Sequence, residues 1–75
     1  MMDYHGIALE ILEGDFELEE IFTVWMCKTL QNWKGIFGAP KKPYLFEVTY
    51  NGDKDEWYVD RYVKLDNRAI KFEEL

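Results

Sequence analysis

The sequence predicts a small α+β domain in which one amphipathic helix packs on a three- or four-stranded antiparallel sheet. Three observations carry that expectation: a helical apolar period between residues 15 and 35, period-two alternation after residue 44, and punctuation between them at Gly38-Ala39-Pro40-Lys41-Lys42-Pro43 and at Asn51-Gly52. The expected order is an N-terminal strand, the helix, then a β-meander. All 75 residues form one domain, because a chain of this length has apolar surface for a single core.

In the first segment Ile7, Leu9 and Ile11 alternate as in a strand that Gly14 ends, although the same run also suits a helical turn; the strand is the expectation. The helix is expected from Asp15 or Phe16 to Gly35 or Gly38. Its stripe is Leu18, Ile21, Phe22, Trp25, Met26, Thr29, Leu30 and Trp33, following the i, i+3, i+4, i+7 spacing that faces one core. Asp15 is the expected N-cap, Glu17, Glu19 and Glu20 occupy the first turns, and Lys28 and Lys34 lie toward the end, the charge order a helix dipole favours.

Each proline of the connector pushes the residue before it out of the α region, so residues 38–43 read as extended. Tyr44 to Tyr50 alternates as a strand, residues 51–56 form a turn with an Asn-Gly signal, and Trp57 to Leu65 forms the next strand. Asp66-Asn67 is read as a turn into a short last strand through Phe72. Period-two geometry puts Phe46, Val48, Tyr50, Trp57, Val59, Val63, Ile70 and Phe72 under the helix, with Arg61 at the margin. The opposite face receives Leu45, Glu47, Thr49, Tyr58, Asp60, Tyr62, Lys64, Ala69 and Lys71.

Composition narrows the function. Three Trp, five Tyr and five Phe in a chain that is 48% hydrophobic and 32% charged describe a folded domain. One cysteine and one histidine give neither an internal disulfide nor a structural zinc site, and no cofactor is expected. The start Met-Met-Asp-Tyr-His has neither the basic nor the apolar region of a signal peptide, and no apolar run approaches the ~20 residues of a membrane span, so a cytoplasmic location is expected.

The net charge of −6 is segregated along the chain. Residues 1–27 hold Asp3, Glu10, Glu13, Asp15, Glu17, Glu19 and Glu20 with no Lys or Arg, whereas residues 28–43 hold four lysines and no acid. Carboxylates spaced over a rigid surface can imitate the phosphates of a nucleic acid and occupy the basic channel of an enzyme that acts on one. Solubility and helix capping are the alternative cause of the same charges.

Nucleophilic catalysis is poorly supplied, since serine is absent and Cys27 and His5 lie on separate elements. Asn51-x-Asp53-x-Asp55 resembles a calcium loop only in part: Glu56 stands where that loop needs glycine and Tyr62 where it needs a bidentate glutamate. Leu45, Tyr58, Asp60 and Tyr62 form an exposed aromatic patch of the composition found at protein-binding hot spots, unless the N-terminal segment or cross-strand stacking covers it.

The expected function is therefore that of a non-enzymatic, acidic protein-binding domain, an inhibitor or adaptor. Its expected partner-binding residues are Glu13, Asp15, Glu17, Glu19, Glu20, Leu45, Tyr58, Asp60 and Tyr62. The alternative is a nucleic-acid mimic of the phage or mobile-element type that inhibits a basic nucleic-acid enzyme. A homodimer through the tyrosine face is a variant of the first reading. Single-strand nucleic-acid binding through the lysines and tryptophans is a distant third, because the overall charge repels phosphate.

Overall fold

A computed structural model describes residues 2–41, 43–63 and 68–74. One helix, α1 (Tyr4–Asp15), precedes four strands: β1 (Phe22–Thr29), β2 (Asn32–Gly38), β3 (Tyr44–Asn51) and β4 (Glu56–Val63). A single 3-10 turn at Phe72–Glu74 follows. The strands form an antiparallel meander in the order β1-β2-β3-β4, so the α+β class holds. Among the described residues no helix is long and apolar enough to cross a membrane.

Within that class the first half of the chain is assigned differently from the sequence expectation. Residues 4–15 are helix, not a strand, and residues 22–38 are a β-hairpin, not a helix. The hairpin is β-rich in composition: Phe22-Thr23-Val24-Trp25-Met26-Cys27-Lys28-Thr29 is dense in β-branched and aromatic side chains, which fit a pleated surface better than a helix. A helical period happened to overlie it. At the N-terminus Asp3 supplies the cap, its Oδ1 accepting from the Gly6 N–H at 3.0 Å, and Ala8 and Leu12 one turn apart are fully buried. The expected last strand is also absent: residues 68–71 lack regular structure and residues 72–74 form the 3-10 turn. The turn expected at Asp66-Asn67 lies outside the described residues.

The core sits between α1 and the middle strands, and α1 lies closest to β2. Trp33, Phe37, Phe46, Val48 and Tyr50 are buried beneath the helix, with Trp57 and Val59 partly buried beside them. Gly35 makes this arrangement possible. A Cβ there would stand 2.5 Å from the Trp33 ring and 2.8 Å from Phe37, so its absence lets the two rings close over β2 with centroids 6.2 Å apart. The second-half faces agree with the period-two expectation: Phe46, Val48 and Tyr50 turn inward, while Arg61 lies at the margin with its guanidinium 5.0 Å from the Tyr44 ring centroid. Val63 is half exposed, and Ile70 and Phe72 lie outside the core.

Two loops are tied together at one end of the sheet. Gly52 N–H donates to Asn32 Oδ1 at 3.0 Å, and Gln31 Nε2 donates to Asp53 Oδ1 at 2.6 Å. Leu30, in the two-residue β1–β2 turn, holds φ 55° with 81% of its surface exposed. A branched side chain in that left-handed region costs about 1–2 kcal/mol, and glycine is the residue suited to it. Leu30→Gly is therefore expected to stabilise the fold by roughly 0.5–1 kcal/mol, the relief being offset in part by the freer unfolded chain. A higher urea midpoint at unchanged slope checks this; a lower midpoint contradicts it.

Candidate functional site

Strand pairing fixes which side chains share the face of the sheet turned away from α1. Trp25, Ile36, Glu47 and Asp60 form one cross-sheet row, and Cys27, Lys34, Thr49 and Tyr58 the next. Phe22, Gly38, Leu45 and Tyr62 form a third row toward the other end. Contacts on the helix side agree: Thr23, on the opposite face of β1, meets His5 Nε2 through its Oγ1 at 2.8 Å, and Lys28 lies 5.7 Å from the Tyr4 ring centroid. A β-bulge between Thr23 and Trp25 keeps both Phe22 and Trp25 on the open face.

Among the described residues nothing covers that face, and large apolar side chains stand on it. Phe22, Trp25, Leu45, Tyr58 and Tyr62 are all between 39% and 54% exposed. Trp25 and Tyr58 rise over a depression of about 380 Å³ whose lining includes Cys27, Lys34, Thr49 and Asn51. Single exposed apolar residues are ordinary, but five large ones on one continuous face are the signature of an interaction surface.

The polar groups of the face are arranged around these rings. Glu47 accepts the Tyr62 hydroxyl at 3.1 Å through Oε1 and stands 3.5 Å from Lys34 Nζ through Oε2. Glu56 accepts the Tyr58 hydroxyl at 3.0 Å. These carboxylates hold both phenols above their ordinary pKa, because each accepts the proton that ionisation removes and its charge opposes a phenolate. On the other side of the sheet Asp55 acts likewise on Tyr50, whose hydroxyl it accepts at 2.7 Å. Since the folded state favours the neutral phenols, the stability they contribute is complete below their ordinary pKa of 10.0 and is lost as pH rises through the raised values. A tyrosinate absorbance titration is expected to show three of the five tyrosines ionising late. Five coincident ordinary titrations contradict it.

Of the expected partner-binding residues, Leu45, Tyr58, Asp60 and Tyr62 lie together on this face, and Leu45 pairs directly with Tyr62. The acidic residues are placed differently. Glu13 and Asp15 occupy the last turn of α1, and Glu17, Glu19 and Glu20 the loop from it to β1, so they crowd a helix C-terminus where the dipole disfavours anions by about 0.3–1 kcal/mol each. Capping of a helix start does not account for them. The loop is also strained, with φ 54° at Glu17 and 53° at Glu20, and it is held by the buried Leu18, whose N–H donates to Leu12 O at 3.2 Å. It delivers the chain to Phe22, so the acidic loop adjoins the Phe22–Leu45–Tyr62 end of the open face.

Sequence reasoning missed Phe22, Trp25, Lys34 and Ile36 as parts of this surface, having assigned Phe22 and Trp25 to a buried stripe. The β-branched density of residues 22–29 was the available signal. In the calcium-like loop Asp53 accepts from Gln31 and Asp55 from Tyr50. Among the described residues no three His, Cys, Asp or Glu side chains are grouped to hold a metal ion.

No curated protein and no solved structure matches the chain. One family model does, over residues 6–72, from within α1 to the closing 3-10 turn, and the chain accordingly belongs to DUF6275, a family of unknown function.

Proposed function

We propose that this chain is a non-enzymatic protein-binding domain, an inhibitor or adaptor that engages its partner through the open face of the sheet. One observation carries the reading: Phe22, Trp25, Leu45, Tyr58 and Tyr62 stand about half exposed on a single continuous face, the residue classes that dominate interface hot spots. Glu47, Glu56 and Asp60 on β3 and β4 give that face an acidic side, which favours a partner presenting an apolar anchor flanked by basic groups. The exposed free thiol of Cys27 supports a reducing compartment such as the cytoplasm. The same three carboxylates oppose a single nucleic-acid strand, whose backbone they would repel.

The second reading, nucleic-acid mimicry by Glu13, Asp15, Glu17, Glu19 and Glu20, is favoured by the cost of that cluster: its acids sit at the unfavourable end of α1 and two of them hold left-handed backbone. Capture of partners from lysate separates the two. Binding through the open face is expected to survive moderate salt and the joint Glu17→Gln, Glu19→Gln, Glu20→Gln change, and to be lost in a Tyr58→Ala, Tyr62→Ala variant. The reverse pattern, with binding lost on raising salt and on neutralising the loop, would replace this reading with mimicry.

A further inference from the structure

We infer that the occupant of the open face is a second copy of this chain, packed sheet against sheet about a two-fold axis that runs parallel to the strands between β2 and β3. The inference rests on the open-face reading and adds to it a partner, a symmetry operator and a contact at the axis.

Charge selects the operator. The β1–β2 half of the face carries Phe22, Trp25, Cys27, Thr29, Asn32, Lys34 and Ile36, which include one lysine and no carboxylate. Among the described residues the β3–β4 half carries Glu47, Glu56 and Asp60 and no Lys or Arg. A two-fold axis along the strands lays each basic half over the other copy's acidic half. An axis across the strands would lay carboxylates on carboxylates, so it is disfavoured.

The same operator matches shapes. It sets rows opposite their own rows, so Phe22 of one copy meets Tyr62 of the other, and Leu45 faces Gly38, over which the Phe22 ring of that copy already lies. Trp25 lies over Asp60, whose carboxylate can accept the indole N–H at the solvent-accessible rim. Near the axis Lys34 and Glu47, already 3.5 Å apart within one copy, meet the same pair of the other to form a four-membered ring of alternating charge. Four strands of about eight residues give a projected face of ~19 by ~26 Å, and the relief of the aromatic side chains raises this toward the ~800 Å² per partner of a stable interface. Sheets so packed lie ~10 Å apart, the spacing at which rings of this size interdigitate.

Sedimentation equilibrium of the purified chain across a concentration series tests the inference, with partner capture by a Trp25→Ala, Tyr62→Ala variant run beside it. The expected result is a concentration-dependent doubling of the 9.0 kDa mass, a dissociation constant at least tenfold higher for Lys34→Glu, and recovery of the dimer in Lys34→Glu, Glu47→Lys. That swap restores the alternating ring and controls for folding. A mass of one chain at all concentrations, or a dimer indifferent to these changes, overturns the inference. If the chain is monomeric and the Trp25→Ala, Tyr62→Ala variant still loses a different partner, the second copy is wrong and the open-face reading stands. If neither mass nor capture responds to the face variants, both fall.

Discussion

A Phe37→Ala variant is expected to lose about a quarter or more of the stability of this domain. Phe37 is fully buried on β2, where its ring lies 6.2 Å from Trp33 and 5.9 Å from His5. Truncation removes the most central ring of the core and leaves a cavity that the glycine at Gly35 cannot fill. Such changes cost about 3–5 kcal/mol, against a total of roughly 4–11 kcal/mol for a chain of this size. Urea denaturation followed by circular dichroism measures the difference directly. Phe72→Ala is the contrast, since Phe72 is 86% exposed and is expected to change the midpoint little. A Phe37→Ala loss below about 1 kcal/mol would contradict the placement of the core under α1.

Trp25→Ala is expected to weaken partner binding by at least ~30-fold while leaving the melting temperature nearly unchanged. The two effects separate because Trp25 is half exposed on an edge strand, so it has little to lose on truncation in the free chain and much to lose in a complex. Tryptophan is among the residue types that dominate interface hot spots, where truncation costs about 2 kcal/mol or more, which is the ~30-fold quoted. Isothermal titration against the captured partner gives the ratio. An unchanged affinity would move the binding surface away from the β1–β2 half of the face.

How much of this was legible in the sequence follows from which patterns have one meaning. From Tyr44 to Val63 alternation with a turn-rich break at Asn51-Gly52 admits only a hairpin, and the inward and outward residues, including Leu45, Tyr58, Asp60 and Tyr62, were placed correctly. Between Phe22 and Gly38 the apolar residues satisfy a helical period and a strand period at once. The β1–β2 turn is Leu30-Gln31, without glycine, asparagine or proline, so nothing in the residues announces it. The structure accepts left-handed backbone at Leu30 in place of a turn residue. At the N-terminus Ile7, Leu9 and Ile11 suggested a strand, while the Asp3 cap and the fully buried Ala8 and Leu12 are helical spacing on a short and weakly amphipathic segment.

The acidic residues show the same dependence on context. Glu17, Glu19 and Glu20 read as the start of one helix and stand past the end of another, which reverses the sign of their interaction with the dipole. Their positions in the sequence were evident, whereas their role in helix energetics depended on a boundary that the sequence left ambiguous. The misassigned helix also hid half of the candidate site, because Phe22 and Trp25 were spent on a core stripe that the structure builds instead from Phe37, Phe46 and Val48.

Hydroxyl-radical footprinting of the chain, free and partner-bound, tests the open-face assignment most directly, because it reads individual aromatic rings. Protection of Trp25, Tyr58 and Tyr62 is expected, with Tyr44 and Trp57 on the helix side unchanged. Protection confined to the helix side or to the acidic loop, with Trp25 and Tyr62 as reactive as in the free chain, would contradict it.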